Sequence, residues 1–324
     1  MQSVLNYILS TGFINSILRM STPLLFSCMG AVIVRRAGIS CIAFESMMLF
    51  GALGGALGSG LSGSIYVGII VALLCSMIIA ALFAYFVLEL KADNMLVGLA
   101  LNTLGSGGTA FILYMITGNN GSSLDLLSST FPNINIPFIS SIPILGEILS
   151  GRNLLTYVAF LTVPLVYILL YKTSIGLRIR VVGESPDAAK SLGISVNKTR
   201  FLAMLIAGFL AGFGGMFMSM GYLKYFIRDM VAGRGFMALA AMNLGGAQVF
   251  PAMIWTLVFG ATNAIATALQ AINLPPEFLQ LMPYLSTVIG LAILGISENI
   301  SEQKLHRQLI AKSKMSNTSV SNKQ

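Results

Sequence analysis

Long uncharged apolar runs alternate along this chain with short clusters of charge. Residues 65–88 carry no charged side chain and are followed at once by Glu89, Lys91 and Asp93; residues 94–118 repeat the pattern. A run of ~20 apolar residues is long enough to cross a bilayer as a helix. By that rule the chain predicts spans over 21–34 (with part of the preceding segment), 39–61, 65–88, 94–118, 153–171, 201–223, 252–271 and 278–297. Residues 1–18 are mixed and predict a short interfacial helix ahead of the first span. A ninth apolar stretch, 235–246, is too short to cross and is followed by the loop 247–251. Half-segments of this kind build broken helices around a polar path. Residues 119–152 are rich in Ser, Asn and Pro and predict an ordered loop with a short helix near 144–149. The tail, 298–324, is polar and basic and predicts disorder. The pattern therefore predicts an all-α polytopic membrane bundle of about 8–10 transmembrane helices with one short or broken segment, forming a single domain over 1–297.

The longest polar break between two spans, 172–200, holds an element of its own. Ser185 is placed to N-cap a helix, and Pro186 to take its first position, where a missing N–H does no harm. Asp187 puts a negative charge at the positive end of the helix dipole. Gly193 suits the left-handed residue that ends the helix. At 1.5 Å per residue this helix is ~10 Å long and cannot cross a membrane. The pattern predicts a rigid knob on the membrane surface, with Ala188, Ala189 and Leu192 as its smooth face, shaped for contact with another protein.

Composition rules out a water-soluble fold. The chain is 56% hydrophobic and 9% charged, with mean hydropathy +0.85, whereas soluble domains carry about 25% charged residues. The net charge of +8 would suggest nucleic acid on a soluble protein; here it is a matter of loop charge, and no nucleic-acid partner is expected. With 172–200 on the cytoplasmic side, fourteen of the nineteen basic residues lie inside. The positive-inside rule then places the N-terminus outside and the C-terminus inside, with Lys224, Arg228 and Arg234 as misfits.

Candidate chemistry is sparse. No Gly-x-x-x-x-Gly-Lys-Ser/Thr loop occurs, so ATP binding by a P-loop is not expected of this chain. His306 stands alone in the tail, and Cys28, Cys41 and Cys75 have neither metal-ligand nor disulfide spacing. No metal site, bound cofactor or catalytic grouping is expected, and the chain does not read as an enzyme. Glu45 reads either as a helix-start carboxylate facing Arg35 and Arg36 or as a packing or gating residue near a pathway. Asn102, mid-span, must find partners inside the protein, as interhelical glue or as pathway lining. Phe236 and Asn243 sit in the short segment 235–246 and read as packing or as lining. Gly54 with Gly58, and Gly208 with Gly212, have the spacing that lets helix backbones approach closely. Few buried polar groups, none paired in charge, suit a neutral polar solute better than an ion.

Several stretches resemble a known family. Thr22-Pro23-Leu24-Leu25, Arg36-Ala37-Gly38 and Glu45-Ser46-Met47-Met48-Leu49-Phe50-Gly51-Ala52 are similar to the start of bacterial ABC-importer permeases of the nucleoside branch. That branch belongs to the larger family of ribose-type sugar and branched-chain amino-acid permeases. Gly176-Leu177-Arg178, Val182-Gly183-Glu184-Ser185-Pro186-Asp187-Ala188-Ala189 and Gly193-Ile194 resemble its cytoplasmic coupling segment. The stretch from Gly233 to Ala241 and the triplet Met282-Pro283-Tyr284 supply two further landmarks in the family's order. Departures occur at Cys41-Ile42-Ala43-Phe44-Glu45-Ser46 and at 244–251, where the family lines or supports its pathway. The resemblance implies a multi-pass permease in the bacterial cell membrane, moving a nucleoside, with a sugar or branched-chain amino acid as the alternative solute. It implies three partners: a separate ABC ATPase that receives the short helix, a second and non-identical permease chain, and an extracytoplasmic substrate-binding lipoprotein docking on 119–152 and 224–234. From the residues alone, an ATP-independent channel or secondary carrier remains open.

Overall fold

The computed structural model describes residues 11–119, 121–134 and 150–269, together with Leu285, Val288, Gly290 and Ala292, which are helical. Residues 1–10, the helix expected near 144–149, most of the last expected span and the tail lie outside the described residues.

Helix α1, Thr11–Arg36, runs unbroken through Pro23. Residues 11–18 therefore belong to the first long helix and not to a separate interfacial one. A proline inside a helix disturbs the hydrogen bonding of the turn before it. Here the Ser21 and Thr22 hydroxyls donate to the Ile17 and Leu18 carbonyls in that turn, at 2.6 and 2.8 Å. Helices α2 (Phe44–Ser62), α3 (Ile65–Leu88) and α4 (Asn94–Thr117) follow. Asp93 caps α4, its carboxylate accepting from the amides of Met95 and Leu96. A two-stranded antiparallel pair, β1 (Asn133–Ile134) and β2 (Arg152–Asn153), leads into α5 (Leu154–Lys172). Two short helices come next, α6 (Ser174–Glu184) and α7 (Pro186–Ser191). Helix α8 (Val196–Met216) continues into a π-helical turn, Phe217–Tyr222. The short α9 (Arg234–Leu244) and the long α10 (Val249–Leu269) complete the described bundle.

Successive long helices alternate in direction. Arg35, Arg36, the turn 89–93, Lys172, α6 and α7 collect at one end of the bundle, here called the basic end. The loop segment 121–134 and the link after Tyr222 lie at the other, the far end. There the two run together: Ser123 N–H donates to the Phe226 carbonyl at 2.9 Å, and Ser128 N–H to the Lys224 carbonyl at 2.7 Å.

Among the described residues six helices are long and apolar enough to cross a membrane: α1, α3, α4, α5, α8 with its π-helical turn, and α10. Helix α2 falls short because it has little need to meet lipid. It is glycine-rich and enclosed by α3, α4 and α8, with Phe44, Met47, Met48, Ala52 and Ala56 fully buried. Both small-residue stripes meet α3. Gly54 and Gly58 of α2 lie against Val71, Ala72 and Gly68, while Gly208 and Gly212 of α8 lie against Ala80 and Ser76. The Ser76 hydroxyl donates to the Gly208 carbonyl at 2.7 Å. The core sits between α1, α2 and α8, around Leu24, Phe26, Met29, Phe44 and Met47. Helices α3, α4 and α5 turn Tyr66, Ile70, Phe111, Met115, Leu161 and Leu165 outward. An apolar belt of this extent is not tolerated in water and identifies a multi-pass membrane protein.

Candidate functional site

The knob at the basic end is two helices rather than one. Thr173 accepts from the Gly176 amide at 3.1 Å and starts α6. Arg180 donates to the Leu170 carbonyl at 3.0 Å and stacks its guanidinium 5.0 Å from the Tyr171 ring, fixing α6 to the end of α5. Ser185 then caps α7, accepting from the Ala188 amide, with Pro186 in the first turn. Gly193 adopts φ +73°, the left-handed value expected of a terminator. Glu184, Asp187, Ala188 and Lys190 are exposed and Leu192 is 73% exposed. Ala189 corrects the expected face. It is fully buried in a small cluster with Val182 and Val196 and is the root of the knob, not its contact surface. Gly183 also faces inward: a Cβ there would collide with the Arg36 carbonyl.

Glu45 opens α2, yet it does not face Arg35 and Arg36. Its two carboxylate oxygens accept from the amides of Gly233 and Gly235, at 2.7 and 2.8 Å. Those amides belong to the start of α9, whose own N-cap residue, Gly233, has no side chain to offer. An anion at a helix N-terminus satisfies orphan donors and opposes the dipole. The link reaches this point through left-handed residues, Asp229 and Ala232 at φ 53° and 48°. Helix α9 is thus a half-helix whose first turn is capped from another helix, as the short run 235–246 suggested. Its other end is tied as well: Arg36 Nε donates to the Ala247 carbonyl, at 2.8 Å, in the turn to α10.

Phe236, which is 40% exposed, and Asn243 lie two turns apart on the open side of α9. Asn243, Leu239 and Met242 border a cavity of ≈ 220 Å³ shared with Arg35, Ser40 and Cys41. Asn102 lies apart from both. Its amide donates to the Ile42 carbonyl and its oxygen accepts from the Ser46 amide, each at 3.1 Å, so it fastens α4 to the start of α2. A larger hollow of ≈ 600 Å³ between α2, α3 and α4 is lined by Leu53, Leu57, Val71, Ile79, Ile112 and Ile116, and offers little to a polar solute. Among the described residues no cluster of His, Cys, Asp and Glu could hold a metal ion.

Residues 13–297 match the family described as branched-chain amino acid transport system / permease component. The chain belongs to this permease family. Family members are transport subunits and not enzymes; ATP is hydrolysed by a separate subunit. The permease is 30% identical to a putative glucose ABC transporter permease protein, TsgC13 of Haloferax volcanii, over 87% of this chain and 91% of that protein. It is 31% identical to the nucleoside ABC transporter permease protein NupC of Lactococcus lactis subsp. cremoris, over 84% of this chain and 89% of that one. Its fold is similar to a chain of PsaBC from Streptococcus pneumoniae, solved in complex with a Fab, with TM-score 0.52 and 14% identity over 89% of this chain and 94% of that one. As a member of the family the permease works with an ATPase, a substrate-binding protein and a paired permease chain.

Helix α6 escaped the sequence reading, although Thr173 as cap and Ile175, Ile179 and Val182 at helical spacing mark it. The partner of Glu45 lies 188 residues away and leaves no local signal.

Proposed function

We propose that this permease imports a nucleoside-like solute along the open face of α9, and that α7 is the handle through which its ATPase acts. The observation that carries the coupling role is the capped knob at the basic end. A helix fixed by Ser185 and rooted on buried Ala189 transmits a push without bending, and it presents Ala188 and Leu192 to a partner. The basic residues around it agree with a cytoplasmic position. The far-end segments 121–134 and 224–230, joined backbone to backbone, form the surface offered to a substrate-binding lipoprotein. The paired chain is a non-identical permease. NupC favours a nucleoside; TsgC13 keeps a sugar as the second reading.

The test substitutes Ala188→Glu and Leu192→Glu in the complete transporter. A charge forced unpaired into an interface costs about 2–5 kcal/mol, enough to abolish uptake and solute-stimulated ATP hydrolysis with membrane insertion intact. Normal uptake by both variants would refute the handle. Competition of labelled nucleoside uptake by excess glucose separates the two solutes.

A further inference from the structure

At the end of α9 away from the basic end, three residues distant in sequence meet. Arg19 of α1 places its guanidinium 4.8 Å from the centre of the Tyr222 ring, in the π-helical turn. Arg234, the first residue of α9, lines the same cleft with Met20, Pro23 and Phe217. The two cations are held differently. Arg234 donates through Nη1 to the carbonyls of Met230 and Val231, at 3.3 and 3.0 Å, and lies in the field of Glu45. Arg19 is exposed, and among the described residues no carboxylate lies within 4.0 Å of it and no hydrogen bond holds its guanidinium. An exposed cation–π contact is worth only about 0.5–1 kcal/mol. Arg234 is therefore fixed and Arg19 is able to swing. As it stands the cleft admits no water-sized molecule, and Arg19 covers the Tyr222 face.

Building on the nucleoside reading above, we infer that Arg19, Tyr222 and Arg234 form a recognition site for the solute's base, and that it takes an oxopurine. A guanidinium offers only donors, in a planar fork. The edge that matches it carries two neighbouring acceptors, and the O6 and N7 atoms of an oxopurine are such a pair. A 6-aminopurine sets an amine donor where O6 would be, so donor meets donor. Tyr222 supplies the flat face, and base–aromatic stacking contributes about 1–3 kcal/mol. The arriving base takes the place of Arg19 over the ring, and Arg19 turns its fork onto the O6/N7 edge. Arg234 stays in place and keeps the cleft positive, which repels cationic solutes and leaves a neutral ribose unaffected.

The experiment uses the complete importer in cells lacking other nucleoside uptake. Labelled inosine and adenosine are the solutes, and inosine 5′-monophosphate is a competitor. Arg19→Gln raises KM for inosine about 5- to 150-fold relative to adenosine, with the maximal rate kept. Arg19→Lys, which keeps the charge and loses the fork, restores only part of the discrimination. Tyr222→Leu weakens both purines, while Tyr222→Phe, which keeps the ring, behaves as wild type. An unmoved inosine-to-adenosine ratio in Arg19→Gln at normal surface expression overturns the assignment while leaving nucleoside import standing. Stronger competition by the monophosphate than by inosine, lost in Arg19→Gln, overturns it in favour of phosphate binding. A wild-type importer that carries neither nucleoside overturns the nucleoside reading and this site with it.

Discussion

Replacing Glu45 by alanine removes both acceptors that hold the first turn of α9. The amides of Gly233 and Gly235 lose partners at 2.7 and 2.8 Å. Each buried donor left unsatisfied costs about 1–3 kcal/mol, so the pair costs about 2–6 kcal/mol. Removing the carboxylate also removes its own burial penalty, which returns part of that loss; a net of about 3 kcal/mol is expected. Glutamine retains one acceptor oxygen and turns an NH2 toward the second amide, so Glu45→Gln should fall between wild type and alanine. Thermal unfolding in detergent gives the order, and amide hydrogen exchange over 233–238 gives the location. Uptake should decline in the same order, because Phe236 and Asn243 ride on the helix that loosens. If Glu45→Ala unfolds and exchanges as wild type does, the cap contributes nothing, and the reasoning that ties α2 to α9 is wrong.

Asn102→Leu breaks the bonds to the Ile42 carbonyl and the Ser46 amide, each 3.1 Å. It should lower stability by about 1–3 kcal/mol while leaving relative solute affinities unchanged; a changed solute preference in uptake assays would place Asn102 on the pathway instead. Burial pushes the Cys41 thiol from 9.0 up to about 12, a rise the Ala43 backbone hydrogen bond only partly offsets. The folded chain therefore holds this proton where the unfolded chain releases it, so the contribution to stability is complete below the ordinary thiol value and is lost as pH rises through the folded one. Native protein at about pH 8 should resist maleimide at Cys41, since the thiolate is the reactive form. The stability difference between wild type and Cys41→Ala should change only above the ordinary thiol value, and rapid labelling of the folded protein would contradict the burial.

Ends of elements were legible wherever charge or a cap marked them. Residues 65–88 and the start of α4 at Asn94 emerged from uncharged runs closed by Glu89, Lys91 and Asp93, since a charge cannot remain inside lipid without a partner. Ser185, Pro186 and Gly193 marked α7 for the same local reason. Three features were hidden. Helix α8 starts at Val196 and not near Phe201, because Lys198 and Arg200 lie on its exposed and half-exposed sides without ending it. Ala189 was expected on the contact face with Ala188 and Leu192 and instead lies inward, because its side depends on where α6 lies. Glu45 could be placed at a helix start, yet the second helix start it serves comes from a segment far along the chain, and only the fold brings the two together.

On the proposed reading of α7 as the handle, the contacts at the basic end supply a contiguous route from α7 to α9. Helix α6 stands against the end of α1, where Gly183 meets the Arg36 carbonyl too closely for any side chain. Arg200 of α8 reaches the same corner, donating to the Ala37 carbonyl at 3.1 Å. From that corner the Arg36 side chain extends to the Ala247 carbonyl, in the turn that closes α9. Glu45 holds the opposite end of α9, so the half-helix is pinned at both ends by charged side chains of other helices. Contiguity of this kind is a route for force, and it becomes coupling only when the pinned element has two resting positions. A short helix with a side-chain cap borrowed from elsewhere suits that requirement better than a long self-bonded span. A tilt about its two pins would leave the backbone hydrogen bonds of the long helices around it intact.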